Sequence, residues 1–197
     1  LILLAGIVFL FSDAPFINKN QPYIIIRSKR IPWVLGQILY IIMAGAVYFL
    51  LLMFVSILVL LPNVTLKTNG WGKIINTLAQ TDMAAQINLQ FGISKKITSF
   101  YSPFKAFILS FLLNWGVACF LGLIMFLINL KFNRRIGLVA GGVIIFFDIL
   151  VINALPPAFY YFSPVSLSRL SVLDPMGVSM FPNLTYPFIF FSVSIAV

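Results

Sequence analysis

The sequence predicts an all-α fold, a polytopic bundle of transmembrane helices, and its composition is the first reason. Of the 197 residues, 61% are hydrophobic and only 9% are charged, whereas a soluble domain is about 45–50% apolar and about 25% charged. The second reason is that three stretches are long enough to cross the hydrocarbon core of a bilayer, which takes roughly 20 apolar residues of helix. So few charges could not cover a globular surface in water, and we expect a bilayer to be the main solvent of this chain.

Five membrane-crossing segments are predicted within a single transmembrane domain that covers residues 1–197. The complete spans are residues 34–61, 106–130 and 136–155. The apolar runs at residues 1–11 and 186–197 are each too short to cross, and the chain starts on Leu and stops within an apolar run. We therefore interpret both runs as pieces of helices that continue outside this sequence.

The density of Lys and Arg in the connections predicts which side faces the cytoplasm. If the segments alternate sides, residues 12–33 and 131–135 share one face, and the outer loops, residues 62–105 and 156–185, share the other. The first face carries seven cations in two short connections, namely Lys19, Arg27, Lys29, Arg30, Lys131, Arg134 and Arg135. The other face spreads six cations over much longer loops. The first face is therefore predicted to be cytoplasmic.

The cytoplasmic connection, residues 13–33, ends in a basic cluster directly before a long apolar span. Ser12 or Asp13 can cap a helix whose first turn contains Pro15. Two interpretations stay open for the cluster. It is a positive-inside anchor that contacts anionic lipid, or the segment docks a partner, because it is long for a turn and mixes apolar, aromatic and basic side chains.

The first outer loop, residues 62–105, is too long to be a simple connector. Residues 71–91 have the pattern of a weakly amphipathic helix, with apolar side chains among Asn, Gln and Thr. This pattern favours short helices on the outer membrane surface, or a cap over a cavity.

The second outer loop, residues 156–185, begins with two prolines that end the third span. Residues 166–173 are predicted to form a short helix capped by Ser163 or Ser166. Arg169 and Asp174 are candidates for an ion pair in this loop.

Asp148 is the only residue of the Asp, Glu, His, Lys and Arg types inside a complete predicted span. A charge at that depth is costly, so it faces a bundle interior, a cavity or a partner by default. It is either a functional group or a packing group that bonds to Asn153 or to another helix. Asn153 and Asn114 are the other candidate polar groups within the spans. The spans hold no second acid, His or Lys, which disfavours a proton-coupled mechanism.

Most enzyme classes are excluded by residues that the sequence lacks. With no His and no Glu, the chain has neither a zinc site of the His/Glu kind nor a Ser-His-Asp triad. A single cysteine, Cys119, excludes a four-cysteine metal site, and no phosphate-binding Gly-x-x-x-x-Gly-Lys-Ser/Thr loop occurs. We therefore predict no enzyme, no metal and no cofactor. No nucleic-acid partner is expected either, because the cations behind the +9 net charge concentrate in two inner connections.

The order of these features resembles the permease subunit of type-2 ATP-binding-cassette (ABC) exporters, especially the small permeases of Gram-positive bacteria. The first part of the resemblance is the basic segment Arg27-Ser-Lys-Arg-Ile-Pro-Trp33-Val-Leu-Gly-Gln37 followed at once by a long apolar helix. The second part is the outer loop, with Tyr161-Phe-Ser-Pro164-Val-Ser166 and the stretch from Asp174-Pro175 through Pro182-Asn-Leu-Thr-Tyr186. The loop of residues 62–105 is longer than is usual in that family.

The resemblance implies six membrane helices, of which residues 1–11 would end the second and residues 186–197 would start the sixth. It implies an ATPase dimer as a separate subunit, a second permease that is identical or homologous, and contact with membrane lipids. The residues that would couple to the ATPase are Tyr23, Arg27, Lys29 and Arg30. The cargo would be amphipathic or hydrophobic: an antimicrobial peptide, a lipid or a drug.

Two other functional classes stay open. A secondary carrier or channel subunit would predict an internal repeat or several buried charges, and the sequence has neither. A non-transporting membrane protein, such as an immunity or sensor component, is the third possibility.

Overall fold

The computed structural model describes residues 2–16, 26–27, 29–60, 70–81, 94–132, 134–177 and 179–196. Within these ranges the chain is helical and contains no strand, only an isolated bridge between Asp174 and Asn183. The predicted all-α class is therefore confirmed for the described part of the chain. The helices, in order, are α1 (Ile2–Leu10), α2 (Arg30–Leu60), α3 (Gly72–Gln80), α4 (Lys95–Phe100), α5 (Pro103–Lys131), α6 (Arg134–Asn153), α7 (Pro164–Leu167) and α8 (Thr185–Ala196), with a 3₁₀ helix at Pro157–Tyr161.

Helices α2, α5 and α6 are long and apolar enough to cross a membrane. They coincide with the three complete spans that the sequence predicts. Helices α1 and α8 occupy the two terminal runs, and their 9 and 12 residues are too few to cross a hydrocarbon core. That these two runs belong to crossing segments stays a prediction.

Helix α5 is the centre of the bundle. Half of its most apolar stretch is buried, against 17% for α2 and 22% for α6, and it contacts α1, α2, α6 and α8. Its start is set by Ser102, whose side chain accepts a hydrogen bond from the backbone N–H of Lys105, and by Pro103 in the first turn. Its last turn carries Lys131, which complements the negative end of the helix dipole.

Small residues allow the helices around α5 to approach closely. Gly45 of α2 faces Ala118, and a Cβ at Gly122 would lie 2.5 Å from Cγ2 of Ile41. A Cβ at Gly141 of α6 would lie 3.0 Å from Sδ of Met125. A side chain at Gly122 would push the helices apart and one at Gly141 would be tight, whereas one at Gly45 would make an ordinary contact, so Gly122 limits the interhelical distance most.

One end of the bundle is closed by a hydrogen-bonded junction around Asn129. Its amide nitrogen donates to the carbonyl oxygens of Ser12 (3.2 Å) and Ala14 (2.6 Å), and its Oδ1 accepts from the N–H of Gly137 at 3.0 Å. Trp33, in the first turns of α2, has its ring centroid 6.5 Å from that of Phe126. The ends of α1 and α5 and the starts of α2 and α6 therefore meet here, which brings both basic connections to the same end of the molecule.

Three local predictions are wrong in part. Ser12 does not start a helix, because its Oγ donates to the carbonyl of Phe9 and closes the end of α1; the predicted helix beyond Pro15 lies outside the described residues. The helix predicted over residues 71–91 ends at Gln80, since Thr81 has extended backbone angles, and residues 82–93 are not described. In the second outer loop the helix is Pro164–Leu167, because Ser163 caps it and Pro164 opens its first turn.

Candidate functional site

Asp148 is fully buried and lies among three donors from the second outer loop. Its Oδ1 accepts hydrogen bonds from the hydroxyls of Ser163 (3.2 Å) and Ser166 (2.5 Å). Its Oδ2 accepts from Nη2 of Arg169 at 2.5 Å. We call Asp148, Ser163, Ser166 and Arg169 the carboxylate cluster.

The short helix α7 places these donors at intervals of three residues. Ser163 is its N-cap and accepts a hydrogen bond from the N–H of Ser166, while its own O–H donates to Asp148. A hydroxyl can do both, because it has one donor and two acceptor lone pairs. Arg169 follows after another three residues, so all three donors reach the same carboxylate at the end of α6.

The electrostatics of the cluster explain why a charge is tolerated there. A buried carboxylate is strongly unfavourable unless it is paired and hydrogen-bonded, and Asp148 has a cation and two hydroxyls as partners. The Arg169 side chain is 32% exposed, so its remaining N–H groups reach the surroundings. The cluster holds the loop against α6.

Two predicted pairings of this region are wrong. Arg169 bonds to Asp148 and not to Asp174. Asp148 does not bond to Asn153, whose side-chain amide donates to the carbonyl of Ile149 one turn earlier in its own helix at 2.8 Å. The Asn153 amide is already engaged with the backbone of its own helix. The donors to Asp148 come from the second outer loop instead.

Asp174 organises the end of the same loop. Its carboxylate accepts from the N–H of Met176 at 3.0 Å and from both the N–H and the Oγ of Ser179 at 2.6 Å. The buried hydroxyl of Tyr101 lies nearby and has no hydrogen-bond partner among the described residues. Burial raises the pKa of Tyr101, and the negative charge of Asp174 raises this pKa further.

Asn114, the other predicted polar candidate, is separate from the carboxylate cluster. Its amide donates to the carbonyl of Ser110 at 2.7 Å, and its side chain lines a cavity of about 450 Å³. The cavity lies between α2 and α5, with Trp71, α4 and Leu170 at its edge. The indole N–H of Trp71 donates to the carbonyl of Tyr101 at 2.7 Å and fixes that edge. The walls are almost entirely apolar.

The predicted ATPase-coupling residues lie at the opposite end, near the Asn129 junction. The side chains of Arg27, Lys29 and Arg30 are exposed, and Arg30 is the first residue of α2. Lys29 has a φ of 66°, a left-handed conformation that a non-glycine residue adopts only at some cost. Tyr23 lies outside the described residues. The structure thus separates these candidates from the polar groups of the spans.

Three residues with clear structural roles are absent from the predicted polar and coupling candidates: Asn129, Ser163 and Ser166, of which the two serines were predicted only as helix caps. The spacing Ser163-x-x-Ser166-x-x-Arg169 is the signal that could have indicated one shared partner for the loop residues. Asn129 had no comparable signal, because two of its three partners, Ser12 and Ala14, lie more than 100 residues away in sequence.

No group of three metal-ligating side chains occurs in the described ranges. Comparison with models of protein families, with curated proteins and with solved structures gives no match to this chain. Its function is therefore inferred from the residues and their geometry alone.

Proposed function

We propose that this chain is the permease subunit of an ABC exporter, a multi-pass protein of a bacterial cell membrane. The observation that carries the proposal is the meeting of both basic connections at one end of the bundle, beside the first turns of α2. A soluble ATPase needs such a surface on the cytoplasmic side, because the positive-inside rule places the basic connections there.

In the proposed mechanism, an ATPase dimer supplies the energy, since the sequence has no phosphate-binding loop of its own. ATP-driven closure of that dimer pushes the segment that ends at Arg30. Because α2 continues from Arg30 to Leu60 without a break, a push at its start moves the whole helix against α5. Two permease copies tilt relative to each other in this way and release cargo on the outer side.

The exposed apolar faces of α2 and α6 are consistent with a membrane-embedded transporter. Large apolar side chains are exposed along both helices, for example Leu39, Phe54 and Val143. These faces suit lipid and a second permease, and the cargo would be amphipathic or hydrophobic: a peptide, a lipid or a drug. Six membrane helices in the parent protein are part of this proposal.

Co-purification with an ATPase tests the proposal. We expect the detergent-extracted protein from its native host to bring down a nucleotide-binding subunit and ATPase activity. In the double variant Arg27→Ala/Arg30→Ala, we expect the ATPase to dissociate or its activity to become independent of the permease. The matched control is Lys73→Ala/Lys95→Ala, which removes two exposed cations at the other end of the molecule and should leave the pair intact.

Purification without any nucleotide-binding subunit would contradict the proposal. A carrier or channel subunit would then still move solute in proteoliposomes, whereas an immunity or sensor protein would not. If the ATPase co-purifies but the Arg27→Ala/Arg30→Ala variant behaves like the control, the permease assignment stands and the docking assignment is wrong.

A further inference from the structure

Helix α3 is amphipathic, and its polar side is the one that faces α4. At 3.6 residues per turn, Asn76 and Gln80 share one side of the helix, and Ile74 lies about 140° from the middle of that side. Ile74 is 76% exposed. Asn76 and Gln80 line a polar crevice of about 170 Å³ together with three residues of α4, namely Lys95, Thr98 and Ser99.

The apolar side of α3 is largely uncovered by protein. A helix on the surface of a soluble domain turns its apolar face toward the core. In α3 the large apolar side chains of Ile74 and Ile75 are exposed, and the one buried residue of this helix is the small Ala79, which lies at the boundary between the two sides. Such an uncovered apolar side, in a chain with membrane-spanning helices, is typical of a helix at a bilayer surface.

The apolar cavity between α2 and α5 does not account for these exposed side chains. Trp71 and Ile97 lie at its edge, but none of the described residues Gly72–Gln80 lines it. The sequence left two arrangements open for this helix, a cap over a cavity and a helix on the membrane surface. The lining of the cavity favours the second.

The start of α3 is fixed at the level where α5 begins. The indole N–H of Trp71 donates to the carbonyl of Tyr101 at 2.7 Å, two residues before α5 starts at Pro103. Trp and Tyr are enriched at the interface between membrane and water. The first turns of α5 expose Phe104 and Phe107, so α5 itself carries apolar surface at this level.

The charges of α3 and α4 complement a layer of lipid headgroups. Residues 70–81 and 94–105 contain no Asp or Glu. Lys73, the one lysine of α3, lies on the polar side, about 100° from Ile74. The two stretches contain four lysines, namely Lys73, Lys95, Lys96 and Lys105. Cations on a helix with an apolar side strengthen its binding to a bilayer by attracting lipid phosphates.

We infer that α3 lies in the surface of the bilayer at the end of the bundle where α5 begins. The side that carries Ile74 and Ile75 lies at the boundary between headgroups and acyl chains, and the polar crevice between α3 and α4 faces headgroups and water. The partner of this helix is therefore the lipid surface itself. This placement needs no ATPase, so it stands or falls separately from the proposed transport function.

Nitroxide labels test this placement in the full chain, reconstituted in nanodiscs of phosphatidylcholine and phosphatidylglycerol with Cys119→Ala as the background. Ile74→Cys and Ile75→Cys place a label on the apolar side, and Lys73→Cys and Asn76→Cys are the matched controls on the polar side. Power-saturation EPR compares collisions with oxygen, which concentrates in lipid, and with a water-soluble nickel chelate. We expect the ratio of oxygen to nickel collisions to be about threefold higher on the apolar side.

Two results of this experiment would overturn the inference. Equal collision ratios at Ile74→Cys and Lys73→Cys would mean that α3 lies in water. Exclusion of both reagents from Ile74→Cys would mean that protein covers the apolar side. In that case, a label that becomes accessible in discs with one copy of the chain, and protected in discs with two, would identify a second copy as the cover.

A charge on the apolar side provides an independent test. With the label at Ile75→Cys, we expect Ile74→Asp to lower the ratio of oxygen to nickel collisions about threefold, because a carboxylate is unfavourable among acyl chains. The matched control is Asn76→Asp, which adds the same charge on the polar side and should leave the ratio unchanged. An unchanged ratio in the Ile74→Asp variant would contradict contact between this side of α3 and the acyl chains.

Discussion

At the residue scale, the most consequential interaction is the ion pair between Asp148 and Arg169. Asp148 is completely buried whereas Arg169 keeps part of its surface exposed, so the two partners do not depend on each other equally. Removing the cation leaves a buried carboxylate with two hydroxyls, while removing the carboxylate leaves a cation that can still be hydrated. The pair therefore predicts an asymmetric response to mutation.

We expect Arg169→Ala to lower the free energy of unfolding by about 3–5 kcal/mol, because it leaves a buried charge unpaired. Asp148→Asn should cost about 1–2 kcal/mol, since the amide oxygen still accepts from Ser163 and Ser166. The double variant should be more stable than Arg169→Ala alone. Thermal unfolding in detergent, followed by circular dichroism, measures all three, and additive effects would show that the two groups do not interact.

Asn129 provides a second prediction at this scale. Asn129→Leu removes three hydrogen bonds from groups of the buried junction, and each unsatisfied group costs about 1–3 kcal/mol. Asn153→Leu is the matched control, because that amide bonds only to its own helix and should change stability by less than about 0.5 kcal/mol. Equal effects in the two variants would contradict a bridging role for Asn129.

At the scale of elements, α5 organises the bundle through close contacts at small residues. Gly122 lies at the crossing with α1 and α2, where a Cβ would meet Ile41 at 2.5 Å and Phe11 at 2.9 Å. Gly142 of α6 has no atom within 4 Å of the corresponding position. The same residue type is thus required at one helix crossing and incidental on an open helix face.

These two glycines should respond to alanine with opposite signs. Gly122→Ala forces α2 and α1 away from α5, and overpacking of this kind costs about 1–3 kcal/mol. Gly142→Ala meets no steric obstacle and gains helix propensity, up to about 1 kcal/mol. Melting temperatures of the two variants in the same detergent check this, and a stabilising Gly122→Ala would mean that the helices are less closely packed than described.

At the scale of the whole molecule, the two ends of the helix bundle carry different structural elements. One end carries the Asn129 junction and both basic connections; the other carries α3, α4 and the loop held by the carboxylate cluster. The positive-inside rule assigns the first end to the cytoplasm. The proposed docking of an ATPase requires this orientation.

Cysteine accessibility tests the orientation. In a Cys119→Ala background, which removes the one buried thiol, a membrane-impermeant maleimide should label Lys73→Cys and Ser99→Cys on intact cells. Lys131→Cys and Arg135→Cys should react only after the cells are opened, because the positive-inside rule predicts a cytoplasmic location for these positions. The reverse pattern would invert the proposed orientation.

Much of the fold could be predicted because hydrocarbon thickness imposes a length on apolar helices. The three long helices, their order and the terminal apolar helices all follow from composition along the chain. Local details were harder: α7 starts at Pro164 and not at Ser166, because Ser163 caps the helix and Pro164 lies in its first turn. Only part of the candidate site could be predicted, since Asp148 is conspicuous as a lone acid but its partners lie 15 to 21 residues away.

By itself, the sequence determined an all-helical chain with three helices that can span a membrane, and it excluded catalysis that needs His, Glu or a phosphate-binding loop. Those conclusions depend on composition and segment length, which need no knowledge of contacts. The tertiary structure alone decided that Arg169 pairs with Asp148, that Asn129 joins three helix ends, and that an apolar cavity lies between α2 and α5. The reason is physical: a buried polar group must find partners wherever packing places them, and no local pattern records which loop will cover which helix.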